Sequence, residues 1–262
     1  MDGLLITILI VIGFLVYKMI SSSRKQEGYK RWKATGSGDT ANEETAGNKW
    51  KHGAWLRHAL GVTTPKARTY PVFDEEAVVW CAGLLGVEAV RLKEILQDVS
   101  SHYREFWIRK RKGGYRMISA PDKELKSIQD TIYHRILLPV NVHPVATGFR
   151  RQHSIVDNVR PHLGKRCVLK TDIHDFFLSI RSPRVKPIQV YIGYPKNISK
   201  VLGELCCRRR HLPQGASTSP ALSNIIAYEM DRKLAAMAEE FGLAYTRYAD
   251  DLTFSGDVFP KE

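Results

Sequence analysis

Apolar and polar positions divide the chain into three stretches of different character. The first, "GLLITILIVIGFLVY" from Gly3 to Tyr17, carries no charge, and Lys18, Met19 and Ile20 extend it. A spanning helix needs about 20 apolar residues. Lys18 can reach the headgroups by snorkelling, so the pattern predicts a transmembrane helix over residues 1–20. No cation precedes this run, while Lys18, Arg24, Lys25, Lys30, Arg31 and Lys33 follow it. The positive-inside rule then places the remainder in the cytoplasm. A signal peptide would carry basic residues in front and a small-residue cleavage site behind, and neither is evident.

Residues 21–69 show no apolar periodicity able to offset the entropy of folding, which predicts a flexible linker. "ATGSGDTANEETAGN" contains Gly36-x-Gly38-x-x-Ala41, but no strand precedes it and no apolar helix follows, so it is not a dinucleotide fingerprint. "WKHGAWLRHALG" has the spacing of a short helix. From residue 70 onward the pattern is that of a folded body. "DEEAVVWCAGLLGV" and "EAVRLKEILQDVSSHY" have helical spacing, with Asp74 as N-cap of the first. "REFWIRKRKGGYRMISAP" reads as a hairpin turning at Gly113-Gly114 and ending at Pro121. "DKELKSIQDTIYHRILLPV" reads as one amphipathic helix with Leu125, Ile128, Ile132, Ile136 and Leu137 on its apolar face. "RCVLKTDIHDFFLSI" is a strand with a short turn behind it. "SPALSNIIAYEMDRKLAAMAEEFG" is a long helix, and "LAYTRYADDLTFSG" is a second hairpin. Helices and hairpins in this order predict an α+β fold around an antiparallel sheet.

Charge adds a partner class. The 262 residues hold 40 Lys plus Arg against 27 Asp plus Glu, a formal +13, which favours a polyanion such as nucleic acid or an anionic membrane surface. Cys81, Cys167, Cys206 and Cys207 show no CxxC spacing, so neither a zinc site nor a disulfide framework is expected.

Against that basic background, the adjacent carboxylates Asp250 and Asp251 stand out inside a run that otherwise reads as strand. Alone, such a pair is usually a solvated turn. Like charges side by side repel, and a divalent cation relieves the repulsion. A two-metal site needs carboxylates bridging ions about 3.5–4 Å apart. Successive side chains on a strand point to opposite faces, so a further carboxylate must come from a neighbouring strand. Asp172, after the apolar run Cys167-Val168-Leu169 and before Phe176-Phe177, is the best candidate.

"TDIHDFF", "LPQGASTSP" and "RYADDLTFSG", in that order, resemble the three palm motifs of a reverse transcriptase, most closely those of bacterial retrons. Upstream, "RKGGYRMISAP" resembles the fingers motif and "ATGFRRQHSIVDNV" the segment leading into the palm. "NVRPH", Asn158 to His162, is similar to the Asn-Ala-x-x-His signature of retron enzymes, with valine in place of alanine. The resemblance spans roughly Tyr103 to Asp257. It implies a right-hand polymerase with fingers over residues 70–165, a palm with an antiparallel sheet over 166–262, and a thumb that these residues do not supply. The chain is therefore expected to be a fragment of a longer reading frame.

The resemblance also implies roles. Asp172, Asp250 and Asp251 would form the catalytic triad and hold two Mg²⁺ ions. Phe177 would be the aromatic gate that leaves no room for a ribose 2′-hydroxyl. Gln214 and Gly215 would line the nucleotide pocket, and Arg116, with Arg109 or Lys110, would clamp the triphosphate. His153, His162 and His174 read as surface, core or RNA-contact residues.

The implied activity is RNA-directed DNA synthesis from dNTPs on a primer, copying a structured non-coding RNA. The anchor through residues 3–20 implies the cytoplasmic face of the inner membrane, a role in anti-phage defence, and room for a toxin or effector partner. The alternatives are a group II intron-like or other bacterial defence reverse transcriptase and, from another class, a non-catalytic membrane-tethered RNA-binding protein.

Overall fold

The structure is a computed structural model that describes residues 72–110, 113–185 and 192–258. The predicted anchor (residues 1–20) and the predicted linker (residues 21–69), with the short helix within it, lie outside the described residues. Among the described residues, no helix is long and apolar enough to cross a membrane.

Two helices open the described body, α1 (Glu75–Leu85) and α2 (Ala89–Gln97). The Asp74 carboxylate accepts a hydrogen bond from the backbone N–H of Glu76, capping α1 as the sequence predicts. A 3₁₀ turn then leads into the hairpin β1 (Tyr103–Arg109) and β2 (Tyr115–Pro121), an isolated two-stranded antiparallel sheet. Next comes α3 (Lys123–Ile132), capped by the Asp122 carboxylate on Leu125 N at 2.8 Å.

The single helix expected from Asp122 to Val140 is broken. After Ile132 the chain widens into a π turn, Tyr133–Leu137, where Leu138 N reaches back to Tyr133 O at 2.8 Å. Ile136 and Leu137, in that turn, are both buried, as is Ile132. A short helix α4 (Ile155–Val159), closed by a capping box between Ser154 and Asp157, precedes the strand β3 (Cys167–Asp172). After β3 come α5 (Phe176–Ser179), α6 (Lys196–Leu205), the long α7 (Ser219–Glu240), β4 (Ala244–Tyr248) and β5 (Asp251–Gly256). The helix α6 is an addition to the predicted elements, although Ile198, Val201, Leu202 and Leu205 have helical spacing and are buried.

The second sheet has the order β3-β5-β4, antiparallel throughout. Helix α7 lies against β4, while α6 packs on α1, α2 and α3. One apolar cluster runs through both regions, from Leu92, Ile95 and Leu125 through Leu202 and Leu205 to Leu234 and Phe254. At the junction, buried Gln129 donates from Nε2 to Tyr103 Oη (2.7 Å) and Leu205 O (2.8 Å). Arg208, also buried, pairs with Glu105 and donates to Ser119 Oγ at 3.0 Å, tying the β1–β2 hairpin to the chain that follows α6. None of the four cysteines forms a disulfide, as their spacing predicts.

Candidate active site

The antiparallel register of β3 and β5 sets Asp172 directly opposite Asp251. Directly paired residues point to the same face of a sheet. Beyond that pair the chains stay joined, because Ile173 N donates to Asp250 O at 2.9 Å. Residues distant in sequence thus meet at one end of the three-stranded sheet, and Asp250 occupies the β4–β5 turn beside them. Ala249, in the same turn, has φ +59°, a region uncommon for a residue with a side chain.

A buried ion pair holds that turn. Arg247 and Asp231 are both fully buried, with Arg247 Nε on Asp231 Oδ1 at 2.8 Å and Nη2 on Oδ2 at 2.7 Å. The remaining donor, Nη1, reaches Asn224 Oδ1 (3.0 Å) and Ala249 O (2.9 Å). Tyr245 Oη donates to Asp231 Oδ1 at 3.0 Å, and burial, with the Asp231 charge next in effect, pushes the phenol well above its ordinary value. The arginine two residues before the strained alanine therefore fixes that residue's carbonyl directly. Its guanidinium also lies 5.8 Å from the Phe176 ring.

From the other side the turn is pressed by Gly148. Thr147 N donates to Arg247 O at 2.8 Å, and Asn224 Nδ2 donates to Gly148 O at 2.9 Å. A Cβ on Gly148 would stand 2.6 Å from Ala249 N and 3.1 Å from the Tyr248 carbonyl carbon, both backbone atoms. Gly148→Ala is accordingly expected to destabilise the fold by about 1–3 kcal/mol, the usual cost of overpacking. It should also displace the Asp250 turn. Chemical denaturation measures the first effect, and amide hydrogen exchange at Ala249 and Asp250 measures the second.

Asn158 and His162, the ends of "NVRPH", fasten the same sheet from behind. Asn158 Oδ1 accepts from Thr147 Oγ1 at 3.0 Å, and its carbonyl accepts from Thr246 Oγ1 at 3.3 Å. His162 lies between the last two strands, with Nδ1 2.6 Å from Ser255 Oγ and Nε2 2.7 Å from Thr246 Oγ1. Of the surface, core and RNA-contact readings of this histidine, the core one fits best, since the half-buried ring has both nitrogens bonded within the sheet.

Burial lowers the His162 pKa below its ordinary 6.5. The unfolded chain then binds the proton more readily than the folded one. The contribution is present above pH 6.5 and is lost as pH falls toward the depressed folded value. Stability measured by denaturant between pH 8 and pH 5 should therefore decline on the acid side, and His162→Gln should flatten that part of the profile.

The loop carrying Gln214 and Gly215 meets the β1–β2 hairpin. Ser119 N, on β2, donates to Gln214 O at 2.8 Å. Gly215, at φ +129°, leaves no room for a side chain, since its Cβ would stand 2.8 Å from Ser119 O. Strand alternation places Arg116 on the face carrying Ile118, the side chain nearest Gly215. Lys110, just past the end of β1, continues the alternation onto that face. Arg109 pairs with Tyr115 and faces the other way, so the hairpin separates Arg109 from Arg116. Phe177, half-buried at the start of α5, has its ring 5.6 Å from Phe176 and 5.9 Å from Phe149. His153 and His174 are exposed.

The donor set at the Asp172 end consists of carboxylate oxygens, which suit a hard cation. Among the described residues, no three His, Cys, Asp or Glu side chains are close enough to form a preformed cage. Magnesium does not require one, because it is commonly held by one or two carboxylates together with water and substrate phosphate. One cation already marks the place. Lys170, on the same face two residues before Asp172, sets its Nζ 3.0 Å from Asp251 Oδ2. Sequence reasoning missed Lys170, although a lysine at i−2 on that strand was there to be read. The residues fit a divalent ion.

A family model described as reverse transcriptase (RNA-dependent DNA polymerase) matches residues 108–258. The retron Ec86 reverse transcriptase of Escherichia coli is 37% identical over 179 residues, covering 68% of this chain and 55% of that protein. The retron Mx65 reverse transcriptase of Myxococcus xanthus is 39% identical over 60% of this chain and 41% of its own length. The retron Mx162 reverse transcriptase, also of Myxococcus xanthus, is 32% identical over 88% of this chain and 52% of its own. The chain thus spans about half the length of the curated relatives it matches. With the palm register, the pocket loop and these likenesses in agreement, the chain belongs to the reverse transcriptase family, and within it to the retron type.

Proposed function

We propose that the protein containing this chain is an RNA-directed DNA polymerase that extends a primer with dNTPs along an RNA template. The observation that carries this reading is the pairing of Asp172 with Asp251 at the sheet end, with Asp250 in the adjoining turn. A nucleotidyl transfer centre needs negative charge concentrated where cations and triphosphate meet, and a purely RNA-binding surface has no use for it. Asp172, Asp250 and Asp251 would hold two Mg²⁺ ions, which when bound lower the pKa of the primer hydroxyl and stabilise charge on the leaving pyrophosphate.

The chain's own residues do the rest. Arg116 and Lys110 bind the triphosphate from the fingers face, and Gly215 admits the nucleotide against the backbone of Ser119. Gln214 orients the nucleotide, and Phe177 excludes the ribose 2′-hydroxyl by occupying its space. Lys170 neutralises Asp251 until substrate arrives.

Membership of the retron type supports a structured non-coding RNA as template. The apolar run from Gly3 to Tyr17, with cations only on its C-terminal side, supports attachment to the cytoplasmic face of the inner membrane, where a role in phage defence would be exercised. Primer extension by the full-length protein, on an RNA template with Mg²⁺ and dNTPs, tests the activity. Labelled cDNA is expected, and RNA binding without incorporation would favour the non-catalytic reading. Fractionation of cells should find the protein in membranes, and deletion of residues 1–20 should release it. Equal solubility of both forms rules out the tether.

A further inference from the structure

Phe149 stands beside Phe177 in an unusual backbone conformation. Phe149 is a bulky residue at φ +60°, a conformation disfavoured for such side chains, and 42% of its surface is exposed. Neither local preference nor burial explains an aromatic residue there. Strain of this kind persists only where the surroundings over-determine it, and here they do. Thr147 is bonded to Arg247, the Gly148 carbonyl is held by Asn224, and Gly148 lies against Ala249 with no room for a Cβ. The turn that presents Phe149 is therefore locked onto the turn that presents Asp250.

The locked ring lies 5.9 Å from Phe177, tilted by 40°. Phe177 also meets Phe176, at 5.6 Å, a buried ring beneath the Arg247 guanidinium. Phe177 thus has two aromatic neighbours, one in the core and one in a strained loop. A gate that selects by exclusion works only if it cannot rotate aside.

We propose that Phe149 is a positioning residue for sugar selection, holding the Phe177 ring where a ribose 2′-hydroxyl would have to fit. This rests on the reading of Phe177 as the sugar gate. Without the Phe149 ring, Phe177 gains a free side toward solvent, and ribonucleotides are admitted.

The experiment is single-nucleotide incorporation by the full-length protein on an RNA template, reading kcat/KM for each dNTP against its rNTP. Phe149→Ala should raise the rNTP-to-dNTP ratio by about tenfold, the scale expected when the gate is left without one of its two aromatic neighbours. Phe149→Asn, whose side chain tolerates left-handed backbone, keeps the turn and should raise the ratio as well. Phe149→Tyr should leave it near that of the parent. Phe177→Ala should raise it further, and adding Phe149→Ala to that variant should have little additional effect, because the supported ring is gone.

A ratio unchanged in both Phe149→Ala and Phe149→Asn, with Phe177→Ala raising it, overturns this role for Phe149 and leaves the gate intact. A ratio unchanged in Phe177→Ala overturns the gate itself, and this role with it. A loss of dNTP incorporation with no change in ratio marks Phe149 as merely structural and also overturns the proposal.

Discussion

Asp250→Asn and Asp172→Asn should each reduce nucleotide incorporation by the full-length protein on the order of 10³-fold or more. That is at least the scale on which loss of one preorganised charge-stabilising group is felt. Asparagine preserves the shape and one oxygen, so the β3–β5 pairing that sets Asp172 opposite Asp251 survives. What disappears is the charge that draws cations to the sheet end. Thermal unfolding should change little, and RNA affinity should hold or rise slightly, since a phosphate-repelling charge is gone. Incorporation rates within tenfold of the parent in either variant would remove these carboxylates from the chemistry.

Asp231→Ala should have the largest effect on stability. Its carboxylate is the sole anion bonded to Arg247 among the described residues, and both side chains are wholly buried. Removing one partner of such a pair leaves an uncompensated charge in the interior and typically costs about 3–5 kcal/mol. At roughly 2–4 °C per kcal/mol for a domain of this size, the midpoint should fall by about 10 °C. The loss reaches the candidate active site, because the same guanidinium holds Ala249 O, one residue before Asp250. Incorporation should therefore drop even at temperatures where the variant stays folded.

Replacing both members, Asp231→Leu with Arg247→Met, should recover much of the stability, as apolar substitutes for buried pairs often do. It should not recover the activity, because nothing then binds the Ala249 carbonyl. Calorimetry and single-turnover kinetics on the same samples separate the two effects. Recovery of both together would show that Arg247 stabilises the fold without positioning the turn.

Much of this was legible in the sequence because it is local. Asp74 precedes an apolar-periodic run and caps it, Gly113-Gly114 separates two strand-like runs, and "SPALSNIIAYEM" opens a long helix at a proline. Each depends on residues within a few positions of one another. The helix α6 was legible too, since Ile198, Val201, Leu202 and Leu205 carry the period, although the run is short and polar residues flank it. The π turn after Ile132 was not legible. Its pattern of apolar positions suits a continuous helix, and no residue within it marks the wider turn.

By itself the sequence determined the order of the elements, the family-like motifs within them, and the carboxylates able to hold a divalent cation. It also determined the excess of positive charge that calls for a polyanionic partner. Only the tertiary structure decided which side chains share a face. Strand pairing brought Lys170 to Asp251 and parted Arg109 from Arg116. Close backbone approach set Gly148 against Ala249 and so placed Phe149 beside Phe177. Burial converted Arg247, one of 40 cations in the composition, into the clamp of the turn that carries Asp250. Composition and periodicity act along the chain, whereas register, burial and packing depend on residues scores of positions away, and no local pattern encodes where those will lie.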